Sequence, residues 1–400
     1  MALRLAVASA YPPNRRPLSE YVWHVVQSLA RSVRVDEVHV LADRGEAGTP
    51  VRGRIHVHQC WSFGGIDQPF AVARAARSLG VDAVWFHTHM TSGGNTRRSQ
   101  LAGIAAPAVC RLAGLPTVVT VHNMLGMTDV RLARPSARWV DVLGGHLATA
   151  MFRIPDKVCV LLSEYADLMR ARYGIDARVM PLGTLGRPAT VPVMAPRAGT
   201  PLLAFGRFGT YKRLEIVIDA VRGLAADGED VRLIVAGSDS RQTPGYLADL
   251  QNRCRDLPNV QFLGYVDEPD VPALFEQSAA CILPYATVTG MSSVATQAAM
   301  YGVPIIASDV PGVRLFENGG LRLNFFAWPN ARSLKDTIRR VLAGPQQCAA
   351  DLWHNLRCCR AQMMDDVVDE YVDMIESAIA ARGGKAREAS DDIPAASRLR

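Results

Sequence analysis

The chain has 400 residues, of which 49% are hydrophobic and 20% charged, with a formal net charge of +6. That length accommodates two domains of ordinary size, and the balance is that of a globular protein with a substantial core, not of a disordered or fibrous chain. The bases are spread without the basic stripe that nucleic acid demands, and apolar runs such as Ile104–Val109 and Ala279–Leu283 fall far short of the ~18–20 residues of a spanning helix. The cysteines Cys60, Cys110, Cys159, Cys254 and Cys281 sit singly in apolar segments. Cys358 and Cys359 are adjacent, with no partner pair at zinc-finger spacing, so neither a metal site nor a disulfide framework is expected.

In chain order, Leu3–Ala8 reads as a buried first strand. Its apolar run ends at Tyr11-Pro12-Pro13 without a cleavage context, so it is not read as a signal peptide, and a cytoplasmic protein is expected. Strands are predicted at Glu37–Leu41, Ala83–Phe86, Thr117–Val121 and Lys157–Leu161, rich in Val, Leu and Ile without clean alternation, as strands buried on both faces should be. Helical patterns lie between them at Glu20–Arg31, Pro69–Leu79, Leu101–Leu112 and Glu164–Tyr173. Strands alternating with helices imply a parallel sheet in a first domain over residues 1–184.

Residues 185–200 are rich in Pro, Gly and Ala and read as a linker. The rhythm restarts over 201–362, with strands at Leu202–Phe205, Arg232–Val235, Val260–Phe262, Ala280–Leu283 and Pro304–Ala307. A long helical stretch, Asp351–Ala381, is expected to break near Gln362, its last part (363–383) returning toward the first domain; 384–400 reads as a frayed tail. The fold class is therefore α/β, two Rossmann-like parallel-sheet domains facing a central cleft, the kind of place where ligands bind.

The second half carries the chemistry. Strand Leu202–Phe205 ends at Gly206, and Arg207 and Lys212 follow at Arg-x4-Lys spacing. At the C-terminal edge of a parallel sheet, the Arg fork and the Lys point charge suit phosphate oxygens, although two bases in a solvated loop would look the same. Strand Val260–Phe262 leads through Gly264 to Tyr265 and Val266. The loop Thr289-Gly290-Met291-Ser292-Ser293 then opens a helix of small residues ending at Gly302-Val303-Pro304. Free N–H groups at such a helix start form an anion site, and a Ser N-cap fits the same residues.

This order of motifs (Gly-Arg-x4-Lys, Val-Ala-Gly, Asn-Val-x-Phe-x-Gly, Leu-Pro, a Gly-containing loop and helix, Gly-x-Pro) resembles glycosyltransferase family 4. These are the retaining GT-B enzymes related to sucrose synthase and bacterial mannosyltransferases. The resemblance implies transfer of a hexose-type sugar from a nucleotide diphosphate sugar, of the UDP or GDP kind, to an acceptor hydroxyl with retention of configuration. It implies that Arg207 and Lys212 grip the diphosphate and stabilise charge on the leaving nucleotide. Gly290, Met291 and Ser292 would offer backbone N–H groups, with Gly206 and Ser293 beside them, and Tyr265 and Val266 would line the base pocket. In the first half, Thr120-Val121-His122-Asn123 ends a strand at the place of the family's sugar-site histidine. His122 is a candidate for bonding the transferred sugar, or a satisfied structural histidine. No cofactor beyond the sugar nucleotide and no metal is expected.

The departures are specific. The family's Glu-x7-Glu positions hold Thr289 and Gln297. An amide still bonds ribose hydroxyls, with weaker polarisation than a carboxylate, whereas Thr289 is too short and neutral to replace its Glu. The glycine pair expected after Tyr-x-Pro is replaced by Asn14-Arg15-Arg16, which are candidates for phosphate or acceptor contact. The acceptor (saccharide, lipid-linked glycan or small metabolite) is not legible. Arg131–Arg153 mixes bases with large apolar residues, which suits either an anionic membrane or, the favoured reading, a domain helix with its apolar face inward. A catalytically silent partner subunit or sugar-nucleotide binding module is the alternative reading. A nicotinamide oxidoreductase is disfavoured because no Gly-x-Gly-x-x-Gly follows a predicted strand.

Overall fold

The computed structural model describes residues 2–45, 53–124, 139–192, 199–240, 243–288 and 290–383. Thr289, the middle of the linker (193–198), the tail (384–400) and the first part of the basic stretch (131–138) lie outside the described residues.

The first sheet is built from β1 (Leu3–Ala8), β2 (Val35–Asp43), β3 (Ile55–Trp61), β4 (Ala83–Thr88), β5 (Thr117–Val121), β6 (Lys157–Val160) and β7 (Arg178–Val179). Its order is β3-β2-β1-β4-β5-β6-β7, with every pair parallel. Helices α1 (Ser19–Arg31), α2 (Gln68–Leu79), α3 (Arg97–Leu112), α4 (Trp139–Met151) and α5 (Ser163–Tyr173) connect the strands. In α1, Tyr21, Val22, Val25, Val26 and Leu29 recur at helical spacing and are buried on one sheet face. Ala71, Val72 and Ala76 of α2, Ile104 of α3, Ala148 of α4 and Met169 of α5 cover the other.

The second sheet has the order β10-β9-β8-β11-β12-β13, also wholly parallel. Its strands are β8 (Leu202–Phe208), β9 (Leu233–Asp239), β10 (Val260–Gly264), β11 (Ala280–Leu283), β12 (Ile305–Ser308) and β13 (Asn324–Phe326). Helices α6 (Leu214–Ala226), α7 (Tyr246–Arg253), α8 (Val271–Glu276), α9 (Ser293–Met300), α10 (Pro311–Asn318), α11 (Ala331–Ala343) and α12 (Pro345–Arg360) flank it. The last helix, α13 (Met364–Ala380), lies on the first sheet instead. Its Val367, Val368, Tyr371, Val372 and Ile375 are buried with α1 against Val7, Val40 and Trp85. Two doubly wound sheets thus carry one chain, and α13 ties its end to its beginning.

Two sequence expectations change. β3, with the short edge strands β7 and β13, was not among the predicted strands: Ile55-His-Val-His-Gln-Cys-Trp alternates apolar and polar residues, because this edge strand is only half-buried, unlike its neighbours. In α4 the small residues Gly145, Ala148 and Thr149 face the core while Trp139, Leu143 and Leu147 face outward. Within α4 the expectation of an inward apolar face is therefore reversed, although Phe152, just past it, is buried in the core.

Candidate active site

The two sheets meet through the C-terminal ends of their strands. The loop after β1 carries Arg15, whose guanidinium lies 3.7 Å from the ring centre of Tyr265, just past β10, and 3.6 Å from Asp267. Arg207, near the end of β8, donates from Nη2 to the backbone carbonyl of Arg15 at 2.8 Å. His24 of α1 bonds Glu268 at 2.9 Å. On the other side of the cleft, Gly290 after β11 approaches His122 after β5 so closely that a Cβ on it would lie 2.1 Å from the His122 carbonyl oxygen.

Lys212 is brought to the second sheet by a short 3-10 turn, Thr210–Lys212, between β8 and α6. Its side chain folds back under the strand end and is buried, with Nζ 4.9 Å from the ring centre of Tyr285 and 5.6 Å from that of Phe208. Gly206 makes this possible. Its φ of +111° suits glycine, and a Cβ there would stand 3.1 Å from the Lys212 ammonium and 3.2 Å from Val294. The Lys212 pKa is lowered to about 8, chiefly by burial, with Cys281 acting in the opposite sense and the neighbouring Arg207 charge adding to the lowering. Among the described residues no carboxylate pairs with this ammonium, so its desolvation is uncompensated by a protein anion. A buried cation poised at a sheet edge, beside a second cation, is an arrangement that an anionic ligand relieves.

The loop-to-helix segment follows. Ser292 caps α9, its hydroxyl accepting from the Ala295 N–H at 3.3 Å; Ser293 is exposed as the first helical residue. One turn further, Gln297 is buried and its Oε1 has no hydrogen-bond partner among the described residues. An orphaned, buried amide oxygen suits a hydroxyl donor. Met291 was expected to offer its backbone N–H, and its side chain has a place of its own. Its side chain packs against both cores of the first domain and one of the second, making it an apolar bridge between domains. Val266 packs into the second domain's core. Tyr265 is exposed except where Arg15 covers its ring.

Of the Asn14–Arg16 trio, only Arg15 reaches across the cleft. Asn14 Nδ2 donates to the Asp43 carbonyl at 3.1 Å, and Arg16 pairs with the buried Asp43 carboxylate and lies over the Phe63 ring at 4.0 Å. These two anchor the loop to the end of β2.

His122 is buried, and its Nε2 lies 3.1 Å from Nδ1 of His87. Burial holds its pKa down at about 3, and the nearby His89 adds to this. The ring is neutral and stands edge-on to Tyr21 at 4.8 Å. His89 is lowered to about 4 by burial and then by the charge of Arg207, which places a first-domain imidazole in the field of a second-domain guanidinium. Asn123 orients it: Nδ2 donates to His89 Nε2 at 3.0 Å while Oδ1 accepts from the Met90 N–H at 2.8 Å. His87, His89 and Asn123 escaped sequence reasoning. The signal was present in His87-Thr88-His89 at a strand end, but pairing it with His122 requires knowing that β4 and β5 are neighbours. Among the described residues no group of three or more His, Cys, Asp or Glu side chains is arranged to hold a metal ion, and no helix is long and apolar enough to cross a membrane.

Comparison with known proteins fits this geometry. Residues 18–183 match the model of the glycosyl transferase 4-like domain, and residues 199–344 that of glycosyl transferases group 1. A glycogen synthase of Mycobacterium tuberculosis is 26% identical over 250 residues, which is 59% of this chain and 56% of that protein, so the chain spans little more than half of that relative's length. Among solved structures, sucrose-phosphate synthase from Thermosynechococcus elongatus superposes with a TM-score of 0.69 at 16% identity, covering 95% of this chain and 100% of that one. Anabaena HepE in complex with UDP and glucose does so with a TM-score of 0.67 at 15% identity, covering 94% and 100%. With one family model on each half and a shared two-sheet architecture, the chain belongs to the GT-B-fold glycosyltransferases related to group 1 and the 4-like family.

Proposed function

We propose that the protein transfers a hexose-type sugar from a nucleoside diphosphate sugar to an acceptor hydroxyl with retention of configuration. The observation that carries this reading is the buried Lys212 ammonium beside Arg207 at the end of β8, facing the histidines of β4 and β5 across the cleft. The family match and the fold shared with a UDP- and glucose-bound protein support UDP as the first nucleotide to test, and GDP as the second.

In this reading Arg207 and Lys212 hold the diphosphate, and Gly290, Ser292 and Ser293 present backbone N–H groups at the start of α9. Gln297 Oε1 accepts from a ribose hydroxyl, and Tyr265 and Val266 wall the base. The bond between the sugar's anomeric carbon and the diphosphate oxygen breaks, and its electron pair leaves with the nucleotide. The acceptor oxygen attacks from the same face, its proton passing to the departing phosphate oxygen, as the family resemblance implies. The two cations stabilise the charge that builds on that oxygen, which is where such a site contributes most. His122 contributes a neutral imidazole at the sugar end.

Thermal unfolding with UDP, GDP and dTDP, followed by hydrolysis assays with the corresponding glucose and mannose donors, tests the proposal. A midpoint increase with one nucleotide and slow release of sugar from its donor are expected. Gln297 and Thr289 in place of carboxylates favour a second reading, a catalytically silent binding module. A nucleotide shift without hydrolysis or transfer would select it, and no shift with any nucleotide would refute both.

A further inference from the structure

We propose that the outer face of α2, α3 and α4 is a docking surface for an anionic lipid bilayer. Nine of the sixteen exposed large hydrophobic side chains among the described residues belong to these three helices or the turns beside them. Phe70 is 69% exposed, Leu112 77%, Trp139 74% and Leu147 59%. Isolated exposed apolar residues are ordinary, but this concentration on adjacent helices is not.

Helix α4 makes the point most clearly. Trp139, Leu143 and Leu147 recur every four residues on one stripe, and that stripe faces solvent, while Gly145, Ala148 and Thr149 face the core. Small residues suffice for close packing of α4 on α3, so the large ones are not needed inside. Between α2 and α3 runs an open groove of about 620 Å³, with Phe70, Val109 and Leu112 in its walls and Arg74 and Arg77 at its rim.

The charge on this face identifies the occupant. The three helices carry Arg74, Arg77, Arg97, Arg98 and Arg111 against a single acid, Asp141. That carboxylate is taken by Arg97, at 2.6 and 3.0 Å. Arg111 pairs with Asp156 at 2.7 Å, which leaves Arg74, Arg77 and Arg98 without an ion pair among the described residues. Exposed apolar side chains beside these three guanidiniums match acyl chains beneath anionic headgroups, and an exposed Trp suits the interface between them. A protein partner would need its own acidic rim around an apolar centre, for which nothing on this chain calls.

The orientation is functional. The Arg97–Asp141 pair ties the start of α4 to the start of α3, and α3 begins shortly after the β4 end that bears His87 and His89. The docking face therefore adjoins the cleft mouth. The acceptor class that fits is a hydroxyl on a membrane-held amphiphile, a step that rests on the transferase reading above, whereas docking itself does not.

The full chain is sedimented with vesicles of phosphatidylcholine alone and of phosphatidylcholine mixed with phosphatidylglycerol, at low and high salt. Binding to the anionic vesicles only, weakened by salt, is expected. Leu143→Ser with Leu147→Ser should reduce binding about tenfold or more, and Arg74→Glu with Arg77→Glu by a similar factor. Both variants should keep the wild-type unfolding midpoint and nucleotide shift, since these side chains are exposed and distant from Lys212. A blue shift of fluorescence on vesicle addition should be lost in Trp139→Phe. Absence of wild-type binding at low salt overturns the proposal, as does unchanged binding of both double variants. A dimer in solution that Leu143→Ser with Leu147→Ser dissolves also overturns it, by naming a second copy as the occupant. Loss of vesicle binding with an intact nucleotide shift leaves the transferase reading standing.

Discussion

The guanidinium of Arg15 rests 3.7 Å above the ring of Tyr265, so a loop of the first domain covers an aromatic face of the second. Asp267 and the Arg207–Arg15 carbonyl bond complete the clasp. If that ring walls the base pocket, a nucleobase must compete with Arg15 for it. A cation–π contact at an exposed site contributes about 0.5–1 kcal/mol, so Arg15→Ala should tighten UDP binding by roughly 2–5-fold. Isothermal calorimetry reads this directly, and weaker binding would show that Arg15 contacts the nucleotide itself.

Lys212 gives a test of both binding and stability. Each charge-assisted hydrogen bond to phosphate contributes about 1.5–3 kcal/mol, so Lys212→Met should weaken nucleotide binding roughly 10–100-fold and cripple turnover. Its pKa falls from 10.5 to about 8 on folding. Between these values the unfolded chain holds a proton that the folded chain has released, so stability rises as pH increases from 8 toward 10.5. Lys212→Met should flatten that rise and raise the unfolding midpoint at neutral pH. A lower midpoint would mean that the ammonium is satisfied in the free protein.

The buried histidines have the same sign in a different window. His122 titrates at about 3 and His87 well below its ordinary value of 6.5, both chiefly through burial. Below pH 6.5 the unfolded chain takes up protons that the folded chain refuses, so stability should fall steadily as pH drops from 6.5 toward 3. Urea midpoints across this range check it, and His122→Asn should show a shallower slope. An unchanged slope would assign the acid sensitivity elsewhere.

Gln297 separates the ribose from the diphosphate. Its buried Oε1 lacks a partner among the described residues. One hydrogen bond from a ribose hydroxyl contributes about 1 kcal/mol, so Gln297→Ala should weaken UDP binding about fivefold and leave inorganic pyrophosphate unaffected. Equal weakening of both ligands would place the amide at the phosphates.

Gly290 reports on domain closure. A methyl group there meets the His122 carbonyl at 2.1 Å, a contact that only separation of the strand ends relieves. Gly290→Ala should therefore lower turnover about 100-fold through misplacement across the cleft, with an unfolding midpoint near wild type. A large loss of stability instead would show that the contact holds the fold together.

The chain's own order of residues determined two things about this protein. Short apolar strands alternating with amphipathic helices admit only parallel sheets, because both strand faces must be covered by crossover helices. The Gly206-Arg207-x4-Lys212 spacing places two cations within one turn of a strand end. Both are local, and local spacing is legible. Tertiary structure alone decided the rest. His87 and His122 are 35 residues apart and meet because β4 and β5 pair. Met291 reads as a backbone N–H donor, and only the fold shows that its side chain wedges between domains. Arg15 and Arg16 are neighbours with opposite fates, one across the cleft and one bound to Asp43. In α4 the periodicity established an amphipathic helix without saying which stripe faces inward. That was settled by how closely α3 packs beside it, where only small residues fit.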